Sequence, residues 1–158
     1  MLYTNEKPRQ QSTPPKAANF LHVSLALCLL SILMGVLFFV IEDMLGFEVP
    51  SAGVISTAVP AMMTGFYFGH KTETLMSAKT RWLAILVWTS ASYFYVLAAF
   101  QYHGLSLSDL FEEFGSFVWV FAGFTALMAV LSYFVIKSGE KTGIKNKIKT
   151  REKLASRA

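Results

Sequence analysis

The chain has 158 residues, 54% of them hydrophobic and only 15% charged, with a formal net charge of +4. A soluble domain carries about 25% charged residues and spreads its apolar residues periodically. Here they gather into four long runs, with a mean hydropathy of +0.47, which excludes an ordinary soluble domain and leaves no length for a second one.

Residues 1–19 are polar and carry Pro8, Pro14 and Pro15. They are expected to form a disordered cytoplasmic tail. A cleaved leader would have its apolar core nearer the start and a shorter one. The first apolar run, about 20–41, is therefore read as a retained span. It is rich in Leu, and Ser24, Ser31 and Gly35 mark its protein-facing side. Cys28 lies in this span and is the only cysteine, so no intrachain disulfide and no paired-thiol chemistry is available. It is read as a small apolar filler.

The connection that follows holds Glu42, Asp43 and Glu48 and no base. Gly46 and Pro50 are turn and helix-start signals. Its shortness makes spans one and two antiparallel neighbours.

The second span, about 51–70, has no charged residue and is built largely from small ones. Gly53, Thr57, Ala61, Gly65 and Gly69 recur every four positions, a ridge that lets another helix backbone come close. Successive i+4 positions advance about 40° around the helix, so the ridge suits a crossed contact. Pro60 sits at mid-span, where a kink is expected, with the Ser56, Thr57 and Thr64 hydroxyls available to the freed backbone groups. Packing within the monomer is the first reading of the ridge. A homo-oligomer face and a ligand crevice beside Pro60 are the alternatives.

Lys71, Lys79 and Arg81 make the second connection basic. The third span, about 82–102, carries Thr89, Ser90, Ser92, Tyr93 and Tyr95 at membrane depth. These hydroxyls either bond to helix carbonyls or, with Pro60, line a weakly polar cleft between spans two and three, for which Pro60, Thr89 and Ser92 are the candidate residues.

In the third connection Leu107, Leu110, Phe111 and Phe114 form an apolar helical stripe. Residues 105–113 are either a short interfacial helix or the first turns of span four. The fourth span, about 114–136, has a second small-residue surface at Gly115, Ala122, Gly123, Ala126 and Ala129. It is the expected partner of span two. Residues 138–158 are read as a basic cytoplasmic tail. Its bases Lys137, Lys141, Lys145, Lys149, Lys153 and Arg157 recur every four residues, but Gly139 and Gly143 argue against one continuous helix. Anionic lipids are the expected partner of this tail.

All 14 Lys and Arg fall in the N-terminal tail, the second connection and the C-terminal tail. The other two connections hold six of the 10 acids: Glu42, Asp43, Glu48, Asp109, Glu112 and Glu113. The positive-inside rule then places both termini in the cytoplasm. It also accounts for a pI near 9.2 without a nucleic-acid partner. Trp82, Tyr67 and Tyr133 near the inner face, and Tyr102 and Trp119 near the outer face, fit interfacial belts.

No acid or base falls in the core of a span as drawn, which removes the usual mark of ion coupling or proton relay. His22, His70 and His103 have no ligand partner at metal spacing and are read as interfacial polar residues. No catalytic residue, metal site or cofactor is expected.

The span layout, and V-P-A-M-M-T-G-F-Y-F-G before the basic connection, resemble small uncharacterised bacterial inner-membrane proteins with four spans. The resemblance covers the four spans and neither tail. It implies a fold and a location, and no activity.

The reading as a whole is an all-α polytopic membrane protein. Its transmembrane domain, residues 20–137, is expected to form an antiparallel bundle of four helices in the bacterial inner membrane. The expected role is a non-enzymatic structural or accessory component, with a homo-oligomer or a membrane partner protein as associates. A small oligomeric transporter is the alternative.

Overall fold

The computed structural model describes residues 18–47, 51–102, 112 and 115–156. Among them the chain is all-helical: α1 (Phe20–Leu45), α2 (Ala52–Thr72), α3 (Ala78–Tyr102) and α4 (Phe117–Ala155). The expected tail over 1–17, His103, and all but Glu112 of the 105–113 stripe lie outside the described residues.

Local chemistry sets the helix ends. The Asn19 side chain accepts from the Leu21 N–H at 3.1 Å, starting α1 just before its apolar run. Gly46 ends α1 in the left-handed region at φ 70°, where only glycine carries no steric cost. Ser77 caps α3, its hydroxyl accepting from the Thr80 N–H at 3.0 Å. Glu73 closes α2 at φ 57°, and its N–H reaches the Gly69 carbonyl at 3.0 Å. A non-glycine residue there costs on the order of 1 kcal/mol.

Three helices, α1, α3 and α4, are long and apolar enough to cross a membrane. Only 11–12% of each apolar window is buried within the chain, the pattern of helices whose apolar surface meets something other than their own neighbours. The second helix is long enough, but its small residues make it less apolar. It runs unbroken through Pro60. The hydroxyls near Pro60 are used differently from the expectation. Ser56 and Thr57 both donate to the Gly53 carbonyl, at 3.0 and 2.9 Å. Thr64, fully buried, has no partner for its hydroxyl among the described residues.

The largest interface joins α2 to α4. Gly65 faces Ile136, Gly69 faces Glu140, and Gly143 faces Phe66 and His70, so both residue numbers rise together and the two helices run parallel. By contrast, α3 is antiparallel to α4: Arg81 meets Glu140 at one end, and Tyr93 bonds Thr125 further along. The dominant contact is thus the pairing of spans two and four expected from their small residues, and it joins parallel helices.

The last helix differs most from expectation. It continues through Gly139 and Gly143 to Ala155, 39 residues in all, about 58 Å at 1.5 Å per residue. Glycine in a helix costs about 1 kcal/mol relative to alanine. Here both glycines are buried against α2, and that contact offsets the backbone cost.

Packing is concentrated at one end of the molecule. The buried apolar residues among those described are Val23 and Leu27 at the start of α1, Ala61 and Phe68 of α2, Met76 in the α2–α3 turn, Ala84 and Ile85 at the start of α3, and Ile136 of α4. The other end is open, with Phe39, Phe94, Tyr95 and Trp119 each more than 70% exposed.

Candidate functional site

The packed end is built around two features, a glycine clasp and a buried ion pair. The clasp brings the pair together. Gly65 and Gly69 of α2 lie against the α4 backbone, and Gly139 and Gly143 of α4 lie against the α2 backbone. A Cβ on Gly69 would lie 2.7 Å from the Glu140 Cα, and one on Gly143 would lie 2.8 Å from the His70 nitrogen. At each glycine the atom nearest to that Cβ is a carbonyl oxygen of the other helix: Ile136, Glu140, Met62 and Phe66 in turn. A glycine hydrogen occupies that position instead, so each glycine directs a Cα–H at a carbonyl. Such contacts contribute about 0.5–1 kcal/mol each.

This clasp sets Glu140 inward. Its side chain is 0% exposed, and Arg81 beside it is 5% exposed. Arg81 grips the carboxylate with both edges of its fork, Nε to Oε1 at 2.8 Å and Nη2 to Oε2 at 3.1 Å. Nη2 also donates to the Met76 carbonyl at 2.6 Å, and Nη1 to the Tyr133 hydroxyl at 3.0 Å. The Met76 N–H donates to Glu140 Oε2 at 3.0 Å. Four of the five N–H donors of the guanidinium are therefore engaged. The Arg81 guanidinium lies 5.2 Å from the centroid of the Tyr133 ring, over its face. Trp82 stacks on the same ring at 5.1 Å.

An unpaired charge at this depth would cost several kcal/mol. The bidentate geometry and the backbone contacts of Met76 are what make the pair tolerable. The cluster ties together three pieces of chain: the α2–α3 turn through Met76, the start of α3 through Arg81, and the middle of α4 through Tyr133 and Glu140. A second, exposed pair, Arg151 with Glu73 at 2.6 Å, joins the far part of α4 to the same turn.

The sequence-derived candidates fall as follows. Gly65 and Gly69 are in the clasp, and Ala61 is fully buried in the adjoining core. Gly53 has open space where a Cβ would stand, and Thr57 is spent on the Gly53 carbonyl. On α4 the contact uses Ile136, Gly139, Glu140 and Gly143, while Gly123 has nothing within 4 Å. Pro60 is fully buried. Ser92 donates to the Trp88 carbonyl at 3.0 Å and lines a groove of about 690 Å³ between α1 and α3, to which Ser31 and Gly35 also contribute. Pro60 and Thr89 do not line it. The Ser31 hydroxyl is buried without a partner among the described residues. Among the described residues no group of three His, Cys, Asp or Glu is close enough to hold an ion.

Sequence reasoning missed Arg81 and Glu140 as a site. Arg81 reads as one more inside base, and Glu140 as an acid in a lysine-rich tail. The signal was present in spacing. Ser132, Ile136, Gly139, Glu140 and Gly143 are the buried residues of α4, and they form one stripe at i, i+4, i+7, i+8 and i+11 that continues past the end of the apolar run. Lys137, Lys141, Lys145 and Lys149 take other faces, while Lys147 continues the stripe one turn beyond Gly143.

Comparison with family models, with curated proteins and with solved structures finds no match.

Proposed function

We propose that the chain is a four-span integral protein of the bacterial inner membrane, with both termini in the cytoplasm. In this reading α2 crosses as well, shielded by its neighbours, and the protein acts as a non-enzymatic structural or accessory component. The observation that carries the role is the closure of the Arg81–Glu140 cluster. Its charges face one another and the backbone of Met76, not a cavity. That is how charge is used to lock an architecture, and it leaves neither Arg81 nor Glu140 presented to a substrate. The open, apolar end supplies surface for a neighbouring membrane protein.

The test is isolation from native membranes in mild detergent, paired with flux measurements in reconstituted vesicles. A neighbour at fixed stoichiometry and no saturable flux support the reading. Saturable flux overturns it.

A second reading, a small oligomeric transporter, is favoured by one observation: the α1–α3 groove with the unpartnered Ser31 hydroxyl and Ser92 on its wall. In that case Ser31→Ala and Ser92→Ala lower flux without lowering the amount of folded protein.

A further inference from the structure

A second groove lies between α2 and the far part of α4. Its volume is about 790 Å³. Its wall changes character along α2. Val59, Met63 and Phe66 make one end apolar, and His70, Lys71 and Lys147 gather at the other. None of the described residues that line it is acidic.

The dimensions are informative. Val59 to His70 is about 16 Å along a helix, half of a bilayer core of roughly 30 Å. The groove is thus one leaflet long, apolar where acyl chains lie and cationic where headgroups lie. The clasp puts the cationic end in place: Gly143 meets Phe66 and His70, so the next turn of α4 brings Lys147 to the level of Lys71. Lys71 lies back along its own helix, with Nζ donating to the Tyr67 hydroxyl at 3.4 Å, and Phe66 stacks on His70 at 6.1 Å. Both lysines come from different helices, yet they converge on a single patch.

We propose that this groove binds one anionic glycerophospholipid of the leaflet on the side of the C-terminus, with an acyl chain against Val59, Met63 and Phe66 and the phosphate between Lys71 and Lys147. The occupant follows from the charge and from the length. A second copy of this chain would bring its own basic end against this one, because the groove has no acid to receive it. The inference rests on α2 and α4 being membrane helices.

The experiment is native mass spectrometry of the full chain in detergent, titrated with phosphatidylglycerol or with phosphatidylcholine. Each basic residue near the surface contributes about fivefold to the affinity for anionic lipid. Wild type is expected to retain phosphatidylglycerol in preference to phosphatidylcholine. Lys71→Gln and Lys147→Gln should each lose about fivefold, and Val59→Trp, which fills the apolar end, should lose retention with every charge in place. Lys145→Gln and Lys149→Gln, on the same helix but outside the groove, should change nothing. Thermal melts of all variants confirm that they fold. Equal loss from the control lysines, no preference between the two lipids, equal binding of free glycerol phosphate, or a dimer that forms through this face would each overturn the site. Alkaline extraction is run in parallel. Release of the protein from membranes contradicts the membrane reading itself, whereas an integral protein without lipid preference contradicts only this site.

Discussion

Replacing Glu140 with alanine removes the acceptor of three hydrogen bonds at once, from Arg81 Nε, Arg81 Nη2 and the Met76 N–H. What remains is a guanidinium 5% exposed, held only by the Tyr133 hydroxyl and the Met76 carbonyl. Stripping one partner from a buried pair costs about 3–5 kcal/mol. The double variant Arg81→Met, Glu140→Leu removes both charges and leaves mainly the Met76 groups unsatisfied, a cost of about 1–3 kcal/mol. The double variant should therefore be more stable than Glu140→Ala alone. Unfolding in mixed micelles by added SDS, followed by tryptophan fluorescence, reads this directly, since Trp82 stacks on Tyr133 beside the pair. The reasoning is refuted if Glu140→Ala costs under about 1 kcal/mol, or if the double variant loses the sum of the two single changes.

Gly65→Leu and Gly143→Leu force the two backbones apart and should cost about 3 kcal/mol or more in the same assay, at the upper end of overpacking. Gly53→Leu and Gly123→Leu enter open space and should fold as wild type. Tyr133→Phe removes one hydrogen bond to Arg81 and keeps the ring, so a loss of about 0.5–1.5 kcal/mol is expected in SDS titration. Arg151→Gln breaks a pair whose arginine is 65% exposed, and its effect on the unfolding midpoint should stay under about 1 kcal/mol.

The all-helical character and the positions of the apolar helices were legible because long apolar runs have few alternatives. α1 and α3 begin and end close to where composition changes. The clasp was half legible. Gly65 and Gly69 belong to a visible ridge, but a ridge does not tell which helix it meets or over what length. Its partner glycines, Gly139 and Gly143, read as helix breakers, because local propensity counts their backbone cost and cannot count the tertiary contact that offsets it. Arg81 and Glu140 were hidden for a related reason. A charge at the edge of a membrane segment is ordinary, and only the parallel packing of α2 on α4 turns Glu140 inward. The parallel direction of that contact follows from alternation, since the second and fourth of four alternating helices run the same way; what the small residues of span four did not reveal is where the seam lies, at Ile136 to Gly143 and not at Gly123.

The most direct test concerns α2, the one described helix outside the three that are long and apolar enough to cross a membrane. In a Cys28→Ala background, single cysteines at Phe47 and Thr74 flank this helix, and one at Ser156 marks the C-terminal end. Labelling intact cells with a membrane-impermeant maleimide should modify Phe47→Cys and spare Thr74→Cys and Ser156→Cys until the cells are opened. Labelling of Phe47→Cys and Thr74→Cys from the same side would mean that α2 does not cross, and would contradict the four-span account.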